Sequence, residues 1–264
     1  KQYGPRECMI RAAERFKQEK VNYGSWFEKH KLNEEEWTRQ REDSEHWENR
    51  PIVSICVPLY KTPEKYLCEM IESVRRQTYA NWQLCLADGT EDDSVERVVK
   101  KYCRTDQRIC YKHLKENLGI AENTNAAFSL AKGEWIGLLD HDDILAPEAL
   151  YEVLAAAGAD LASASMVEQN RKGIRQEADA VYTDEDKVSE DLKQHFQPHF
   201  KPDFNPDLLC SNNYITHFFV VRRELVERVG GFRREYDGSQ DYDFIFRCTD
   251  AAERIVHVPR VLYH

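Results

Sequence analysis

The chain has no apolar run that approaches the roughly 20 residues a membrane-spanning helix requires. It also has no excess of basic residues, because 37 Lys and Arg stand against 47 Asp and Glu and the net charge is −10. Proteins that bind nucleic acid backbones present surfaces rich in Lys and Arg. The composition therefore argues against a general nucleic acid binder, and we expect no nucleic acid partner.

Three common motifs are missing as well. No G-x-G-x-x-G follows the first predicted strand and no G-x-x-x-x-G-K-[ST] is present, so dinucleotide-dehydrogenase and P-loop functions lose support. None of the eight Cys form C-x-x-C. Cys56 and Cys85 fall inside predicted strands, where Cys behaves as a small buried hydrophobe. We expect reduced core thiols of a cytosolic protein rather than disulfides or a zinc site.

The 264 residues contain 5 Trp, 13 Tyr and 11 Phe, which is ample material for a hydrophobic core. Residues 1–50 differ from the rest, because they are highly charged and hold three of the five Trp: Trp26, Trp37 and Trp47. Helical spacing predicts one helix over 6–20. A second follows Asn33, with Glu36 at the capping-box position. We therefore expect an N-terminal helical extension that packs its Trp side chains against a main domain.

Pro51 marks the start of that main domain, residues 51–264. Apolar runs alternate with helical patterns up to residue 154: strands at 52–57, 82–87, 108–114 and 134–139, and helices at 64–77, 93–103, 120–131 and after Pro147. This rhythm predicts βαβ units and an α/β fold with a Rossmann-like, mostly parallel central sheet flanked by helices.

The rhythm breaks after residue 154. Residues 156–178 are predicted to form a loop or irregular insertion, and the remaining elements are strands at 180–183 and 214–221, helices at 222–229 and 241–249, and extended segments at 254–258 and 261–264. Because the chain stops within an extended segment, we expect a fragment of a longer protein, with the main domain truncated at its C-terminus.

Acidic residues follow two of the predicted strands. Asp88 closes the second strand, and Asp140-His141-Asp142-Asp143 closes the fourth. Ligands of parallel sheets bind beyond the carboxyl ends of the strands. The two acidic sites are therefore expected to converge on one rim of the sheet.

The 140–143 cluster has the chemistry of a metal site. If the strand alternation continues, Asp140 and Asp142 point the same way about 7 Å apart. Two such carboxylates repel each other unless a cation lies near them, and hard oxygen ligands suit Mg²⁺ or Mn²⁺ bound to a substrate phosphate. The alternative is an acidic turn that caps the following helix.

Asp88 and Asp241 are single carboxylates with more than one interpretation. Asp88 can accept the N3–H of a pyrimidine base, although Asp-Gly is also a common turn. Asp241 lies in the first turn of a predicted helix, with Ser239 as a possible cap. The helix dipole stabilises its anion, so Asp241 can take a proton from an attacking hydroxyl. Its alternative role is that of a helix cap.

Together these residues resemble the inverting family 2 glycosyltransferases of the GT-A fold. The matching motifs are Val-Ser-Ile-Cys-Val-Pro-Leu-Tyr (53–60), Ser73-Val-Arg-Arg-Gln-Thr-Tyr79, Asp88, Asn117-Leu-Gly119 with Asn125, the run from Gly133 to Asp143, and Gly230-Gly-Phe with Gln240-Asp241. Residues 182–187, 200–209 and 260–264 are similar to the bacterial subset that builds surface polysaccharides, often inside multidomain enzymes. The resemblance covers residues 51–264.

The resemblance implies a nucleotide-binding group. In it, Pro58 and Tyr60 border the base and ribose, and Asp88 holds the base. Asp140, with His141 beside it, contacts the ribose or metal side of the nucleotide.

It also implies a metal pair and a base. Asp142 coordinates the ion on the diphosphate, and His264 matches a His that completes the metal site in some relatives. The alternative for His264 is a plain terminal strand residue. Asp241 matches the family's acidic base.

The implied activity is metal-dependent transfer of a sugar from a UDP or dTDP donor to a hydroxyl of a glycan or lipid-linked acceptor. The ion is Mn²⁺ or Mg²⁺, the configuration inverts, and the site of action is cytoplasmic, at the inner face of the membrane. Further domains of the same chain are possible partners. A catalytically silent binding module of a larger synthase is the alternative. A metal-dependent phosphotransferase is disfavoured, because Val57-Pro-Leu-Tyr60 stands where its nucleophilic Asp would follow the first strand.

Overall fold

The structure is a computed structural model that describes residues 22–158 and 177–264. The predicted helix at 6–20 and most of the predicted loop at 156–178 lie outside the described residues. In the described part of the extension, helix α1 (Tyr23–His30) precedes helix α2 (Glu34–Glu45). The capping box of α2 is confirmed: Asn33 accepts from the backbone N–H of Glu36, and the Glu36 carboxylate accepts from that of Asn33.

The remaining elements build an α/β domain. Its strands are β1 (Val53–Leu59), β2 (Trp82–Asp88), β3 (Ile109–His113), β4 (Trp135–Leu138), β5 (Ala180–Val188), β6 (His195–His199), β7 (Phe219–Arg222) and β8 (Ile255–Tyr263). Its helices are α3 (Glu64–Arg75), α4 (Ser94–Cys103), α5 (Ile120–Phe128), α6 (Ala149–Ala157), α7 (Pro206–Ser211), α8 (Arg223–Val229) and α9 (Gln240–Ala251). The two extended segments predicted at the end of the chain form one strand, β8.

One sheet runs through the domain in the order β3-β2-β1-β4-β7-β5-β6, and β8 also pairs with β5. Strands β1 to β4 are mutually parallel, as predicted, and β8 is parallel to β5. The antiparallel pairings lie in the second half, where β7 runs between β4 and β5 and β6 borders β5. The carboxyl ends of β1, β2 and β4 therefore open at one edge.

The core lies on both faces of this sheet. Val53, Ile55 and Val57 of β1 belong to one cluster of buried side chains, whereas Cys56 belongs to another. This alternation follows from the two-residue period of a strand. Cys56 and Cys85 are register partners in β1 and β2 and are buried free thiols, as the sequence predicts.

The extension packs onto the domain through its aromatic side chains. Trp47 contacts the rings of Tyr79 and Tyr151, and the indole N–H of Trp37 donates to Glu148. Among the described residues, no helix is both long enough and apolar enough to cross a bilayer.

Candidate active site

The acidic turn after β4 lies at the edge where the parallel strands end. Strand β4 stops at Leu138, and the backbone turns so that the N–H of Asp143 donates to the carbonyl of Asp140. The predicted strand alternation through Asp142 is therefore wrong. The chain leaves the sheet because Ile144 exchanges two backbone hydrogen bonds with His264, each 2.9 Å.

Tyr263 fixes the geometry of this turn from β8. Its hydroxyl accepts from the backbone N–H of Asp140 at 3.1 Å and donates to the Asp143 carboxylate at 2.7 Å. Burial raises the pKa of Asp143 to about 6, and the charges of Asp140 and Asp142 add to the rise. The turn is therefore a concentration of negative charge that the protein compensates only in part.

The segment before α9 is anchored to α5, and this anchor positions Asp241. The Asn125 side chain bonds both the N–H and the carbonyl of Phe232, at 2.8 and 2.9 Å. A Cβ on Gly231 would lie 2.2 Å from the Asn125 oxygen, so a larger residue there would have to displace the Asn125 amide from Phe232. Asp237 accepts from the N–H of Ala121 at the start of α5. The Asn125 and Gly-Gly-Phe motifs thus act as one clamp.

Asp241 and Asp140 line the same small cavity, together with Pro58 and His217. Burial raises the pKa of Asp241 and the Asp140 charge raises it further, while His217 opposes the rise. The cavity is about 20 Å³, enough for about one water molecule, so a larger ligand would have to lie at its open side.

Two carboxylates of the first turn of α9 differ sharply. Asp243 forms ion pairs with Arg233 and Arg247, and these arginines hold its pKa below the usual range. Within residues 22–158 and 177–264, the one hydrogen bond to the Asp241 carboxylate comes from the Gln240 amide at 3.2 Å, and Asp241 lies beside another carboxylate. Of the two, Asp241 is the stronger base.

His217 is a site residue that the sequence reasoning missed. Its Nε2 lies 3.7 Å from the Asp140 carboxylate, and its ring stacks on Tyr263 with centroids 4.7 Å apart. The backbone is held on both sides, since its N–H donates to Glu185 and its carbonyl accepts from the Lys201 ammonium. The pattern of 214–221 indicated only a strand, and a lone imidazole in an apolar run was the one available signal.

The predicted nucleotide-binding residues lie on neighbouring strands. Asp88 at the end of β2 is fully buried and accepts from the Tyr111 hydroxyl at 2.7 Å and the Thr90 N–H at 2.9 Å. Pro58 is in β1, the strand between β2 and β4. Tyr60 follows β1 and is exposed, with its hydroxyl bonded to Glu91. These side chains thus occupy the same edge as Asp140.

Asp142, one of the two residues expected to hold a metal, lies on the turn beside His141. Asp142 is exposed, and its carboxylate lies 3.8 Å from Nδ1 of His141. This Nδ1 atom is buried and has no hydrogen-bond partner within the described residues. This distance exceeds a hydrogen bond, but one ion can bridge two such ligand atoms. Carboxylate oxygens and an imidazole nitrogen also suit a divalent ion. The residues present fit such an ion.

His264 is fixed beside this turn by its backbone, while its side chain has a separate partner. Nδ1 lies 2.5 Å from the Asp186 carboxylate, and the His195 ring is 4.8 Å from the His264 ring. The structure thus brings His264 near the turn through the Ile144 pairing and directs Nδ1 at β5. Its role as a metal ligand stays a prediction.

The arrangement defines a class of protein: a GT-A-like α/β domain with a carboxylate-lined edge. Residues 54–230 match the model of Glycosyl transferase family 2, and the chain belongs to that family. The predicted family and the enzyme class, a glycosyltransferase, are confirmed.

Individual relatives agree with this assignment. The O-antigen biosynthesis protein RfbC of Myxococcus xanthus is 34% identical over 217 residues, which are 81% of this chain and 16% of that protein. The chain spans less than a quarter of the first curated relatives that it matches.

Solved structures show the same fold. S. aureus TarS 1-349 in complex with UDP aligns with a TM-score of 0.58 and 19% identity, over 80% of this chain and 59% of that one. The mannosyltransferase PcManGT from Pyrobaculum calidifontis, in complex with GDP-Man and Mn²⁺, aligns with a TM-score of 0.56 and 20% identity, over 86% of this chain and 62% of that one. The predicted GT-A fold class is confirmed.

Proposed function

We propose that this domain transfers a sugar, with inversion, from a UDP or dTDP donor to a hydroxyl of a glycan or lipid-linked acceptor, with Mn²⁺ or Mg²⁺. The observation that carries the proposal is the meeting of Asp140 and Asp241 in one cavity at the carboxyl edge of the sheet. Inverting displacement requires a base on one face of the sugar and a leaving diphosphate on the other. In this proposal Asp241 is the base, and the carboxylates of the 140–143 turn lie on the diphosphate side.

The metal pair in this proposal is Asp142 with His264. These residues would hold a divalent ion, which would supply neutralisation of the charge that develops on the leaving diphosphate. The Mn²⁺ complex of the mannosyltransferase PcManGT is consistent with such an ion. Tyr263 holds the turn through the Asp140 backbone N–H and the Asp143 carboxylate, so the backbone that carries Asp140 and Asp142 is fixed by the fold.

Asp241 is the proposed general base. Its carboxylate accepts the proton of the acceptor hydroxyl as that oxygen attacks the anomeric carbon. Burial and the Asp140 charge raise its pKa, which strengthens it as a base, while His217 opposes excessive protonation. The neighbouring Asp243 is neutralised by arginines and is unsuited to this role.

The nucleotide is proposed to lie along the ends of β1 and β2, against Pro58 and Tyr60. Asp88 accepts the N3–H that uracil and thymine share, and each of its oxygens keeps a second lone pair beyond the bonds from Tyr111 and Thr90. His141 lies beside the phosphates. TarS complexes with UDP and UDP-GlcNAc support a uridine donor.

The acceptor is proposed to be a growing surface polysaccharide or its lipid-linked precursor, modified at the cytoplasmic face of the membrane. The O-antigen biosynthesis protein and the chondroitin synthase of Escherichia coli, 24% identical, support polysaccharide synthesis. Further domains of the same chain are the proposed partners.

A panel of nucleotide sugars tests the proposal. The protein is incubated with each donor and Mn²⁺, Mg²⁺ or a chelator, and nucleotide release is measured with and without glycan acceptors. We expect release with one UDP or dTDP sugar that stops in chelator and accelerates with acceptor. Donor binding without any release would favour the catalytically silent module instead.

A further inference from the structure

Asp186 of β5 is a buried carboxylate that the proposed mechanism does not use. Its side chain is 0% exposed. One oxygen, Oδ1, lies 2.5 Å from Nδ1 of His264, and the other, Oδ2, accepts from the Tyr23 hydroxyl at 2.5 Å and lies 2.9 Å from Nδ1 of His195. Three donors from three separate parts of the chain therefore meet on this single side chain.

Strand alternation separates Asp186 from the network around His217. Neighbouring residues of a strand point to opposite faces. Glu185 bonds the backbone of His217, whereas the next residue, Asp186, points to the face that α1 covers. On that face the Phe27 ring stacks on His195 at 3.7 Å and meets His264 edge-on at 5.6 Å. The two networks are therefore distinct.

The bond between Asp186 and His264 determines which nitrogen of His264 is free. An ionised carboxylate accepts hydrogen bonds and donates none, so Nδ1 of His264 must carry the proton. The second nitrogen, Nε2, is then left as the single lone-pair donor of the ring. Ligating histidines usually hold their other nitrogen on a carboxylate or carbonyl in this way.

The backbone of His264 places the ring next to the acidic turn. Its N–H and carbonyl both pair with Ile144, and Ile144 is two residues from Asp142. The ring cannot swing freely, because Nδ1 is held on Asp186 and Phe27 packs against the ring.

We propose that Asp186 is a positioning residue that fixes the tautomer and orientation of His264, so that Nε2 serves as a ligand of the divalent ion held with Asp142. The inference rests on the proposed function. It also gives the N-terminal extension a part in the site, because Tyr23 of α1 binds the second oxygen of Asp186.

A competing arrangement uses the same three residues as a metal site of their own. One ligand atom from each of Asp186, His195 and His264 can be chosen so that all lie within 4.8 Å of one another. In that arrangement His195 is as important as His264. In the arrangement that we propose, His195 contacts Oδ2 of Asp186 and does not bind the ion. Replacing His195 should therefore change the Mn²⁺ affinity little.

The test measures Mn²⁺ affinity of the full chain in the presence of UDP, from the electron paramagnetic resonance signal of free Mn²⁺. Loss of an outer-shell partner typically weakens metal affinity about 10- to 100-fold, which is the loss expected for Asp186→Ala. Asp186→Asn should lose much less, since its amide oxygen can accept from Nδ1. The matched control His195→Gln should remain within about threefold of wild type.

A second readout reports the tautomer itself. With ¹⁵N-labelled histidine, His264 of the wild type should show a protonated Nδ1 and a bare Nε2, with Nε2 shifting when a diamagnetic ion such as Mg²⁺ is added. Asp186→Ala should lose the single-tautomer signature. Circular dichroism shows whether each variant remains folded.

Unchanged affinity in Asp186→Ala would overturn the proposal, and so would equal losses in His195→Gln and Asp186→Ala. Asp142→Ala separates this failure from that of the proposed function. If Asp142→Ala abolishes Mn²⁺ binding while Asp186→Ala does not, the metal role stands and the positioning role falls. If Asp142→Ala has no effect, the metal assignment fails as well.

Discussion

Two groups of partly or fully buried carboxylates have the same chemistry but opposite surroundings. One group, Glu185 and Asp186, lies on strand β5, and the other, Asp143 and Asp241, lies in the cleft between the 140–143 turn and the start of α9. Burial alone would raise the pKa of Glu185 and Asp186, but Lys201 holds that of Glu185 below its usual range, and His195 and His264 do the same for Asp186. In the cleft, burial raises the pKa of Asp143 and Asp241 and neighbouring carboxylates add to the rise.

This difference in pKa separates the acidic residues that stabilise the fold from those that are available for function. A buried charge that has full partners is part of the framework, because it is stable only with those partners in place. A carboxylate that is buried next to like charge is held in a costly state that substrate or metal can relieve, which is typical of functional sites. Asp243 and Asp241, two residues apart, show the same division within one helical turn.

The largest expected effect comes from Asp241→Asn, which removes the proposed base. The amide cannot take a proton, so sugar transfer should fall about 10²- to 10⁴-fold. Steady-state transfer and donor affinity are measured together, and donor affinity should be retained. Asp243→Asn is the matched control and should lower stability rather than transfer. Equal losses of transfer in the two variants would erase the distinction between them.

Lys201→Met tests the framework side of the comparison. The Lys201 side chain is 0% exposed, and its ammonium bonds Glu185 and the Ile215 carbonyl. Breaking a buried pair leaves an uncompensated charge and should lower the free energy of unfolding by about 3–5 kcal/mol.

The measurement for Lys201→Met is urea denaturation. Lys187→Met, at an exposed position of β5, is the control and should change stability by less than about 0.5 kcal/mol. If the two variants are equally stable, the buried pair of Lys201 and Glu185 does not stabilise the fold.

Asp142→Ala removes the proposed metal ligand in the cleft. Metal-dependent nucleotide binding should weaken by about 100-fold or more, because an inner ligand matters at least as much as an outer partner. Calorimetric titration with UDP and Mn²⁺ measures the loss, with exposed Glu116→Ala as the control. Unchanged affinity would remove Asp142 from the metal site.

The smallest effect is the acid dependence of Glu185. Its folded pKa is lowered, so the unfolded state binds more protons over that range and the carboxylate contributes stability above the unfolded pKa of about 4.3. This contribution is lost as the pH falls through the folded pKa.

Glu185→Gln should therefore be less stable than wild type near neutral pH, with a difference that shrinks on acidification. Urea denaturation measured from neutral pH down to about pH 3 follows the difference. A difference that stays constant or grows as the pH falls would contradict the lowered pKa.

Much of the fold follows from local sequence patterns. The periods of β1 to β4 and α3 to α5 identified the parallel half, and the rule for carboxyl ends placed Asp88 and Asp140 at one edge. The prediction that strand alternation continues through Asp142 was wrong. It assumed a straight strand, whereas the chain turns there and Ile144 pairs with His264. Helix α1 was also missed, although Asn22 caps it.

The site residues that sequence reasoning missed depend on contacts between distant segments. His217 matters because Tyr263 stacks on it and Asp140 lies beside it, and no local pattern encodes those neighbours. Asp186 belongs to the motif 182–187, yet its partner Tyr23 lies 163 positions away. Periodicity indicates which elements form, whereas such networks require the tertiary arrangement.

The central claim is that the 140–143 turn and Asp241 face each other across a bound ion and nucleotide. Anomalous diffraction from crystals grown with UDP and Mn²⁺ tests it most directly. We predict one manganese peak bonded to the Asp142 carboxylate and to Nε2 of His264, with Asp241 across the open space reserved for the sugar. A peak held elsewhere, or Asp241 turned away from that space, would contradict the account.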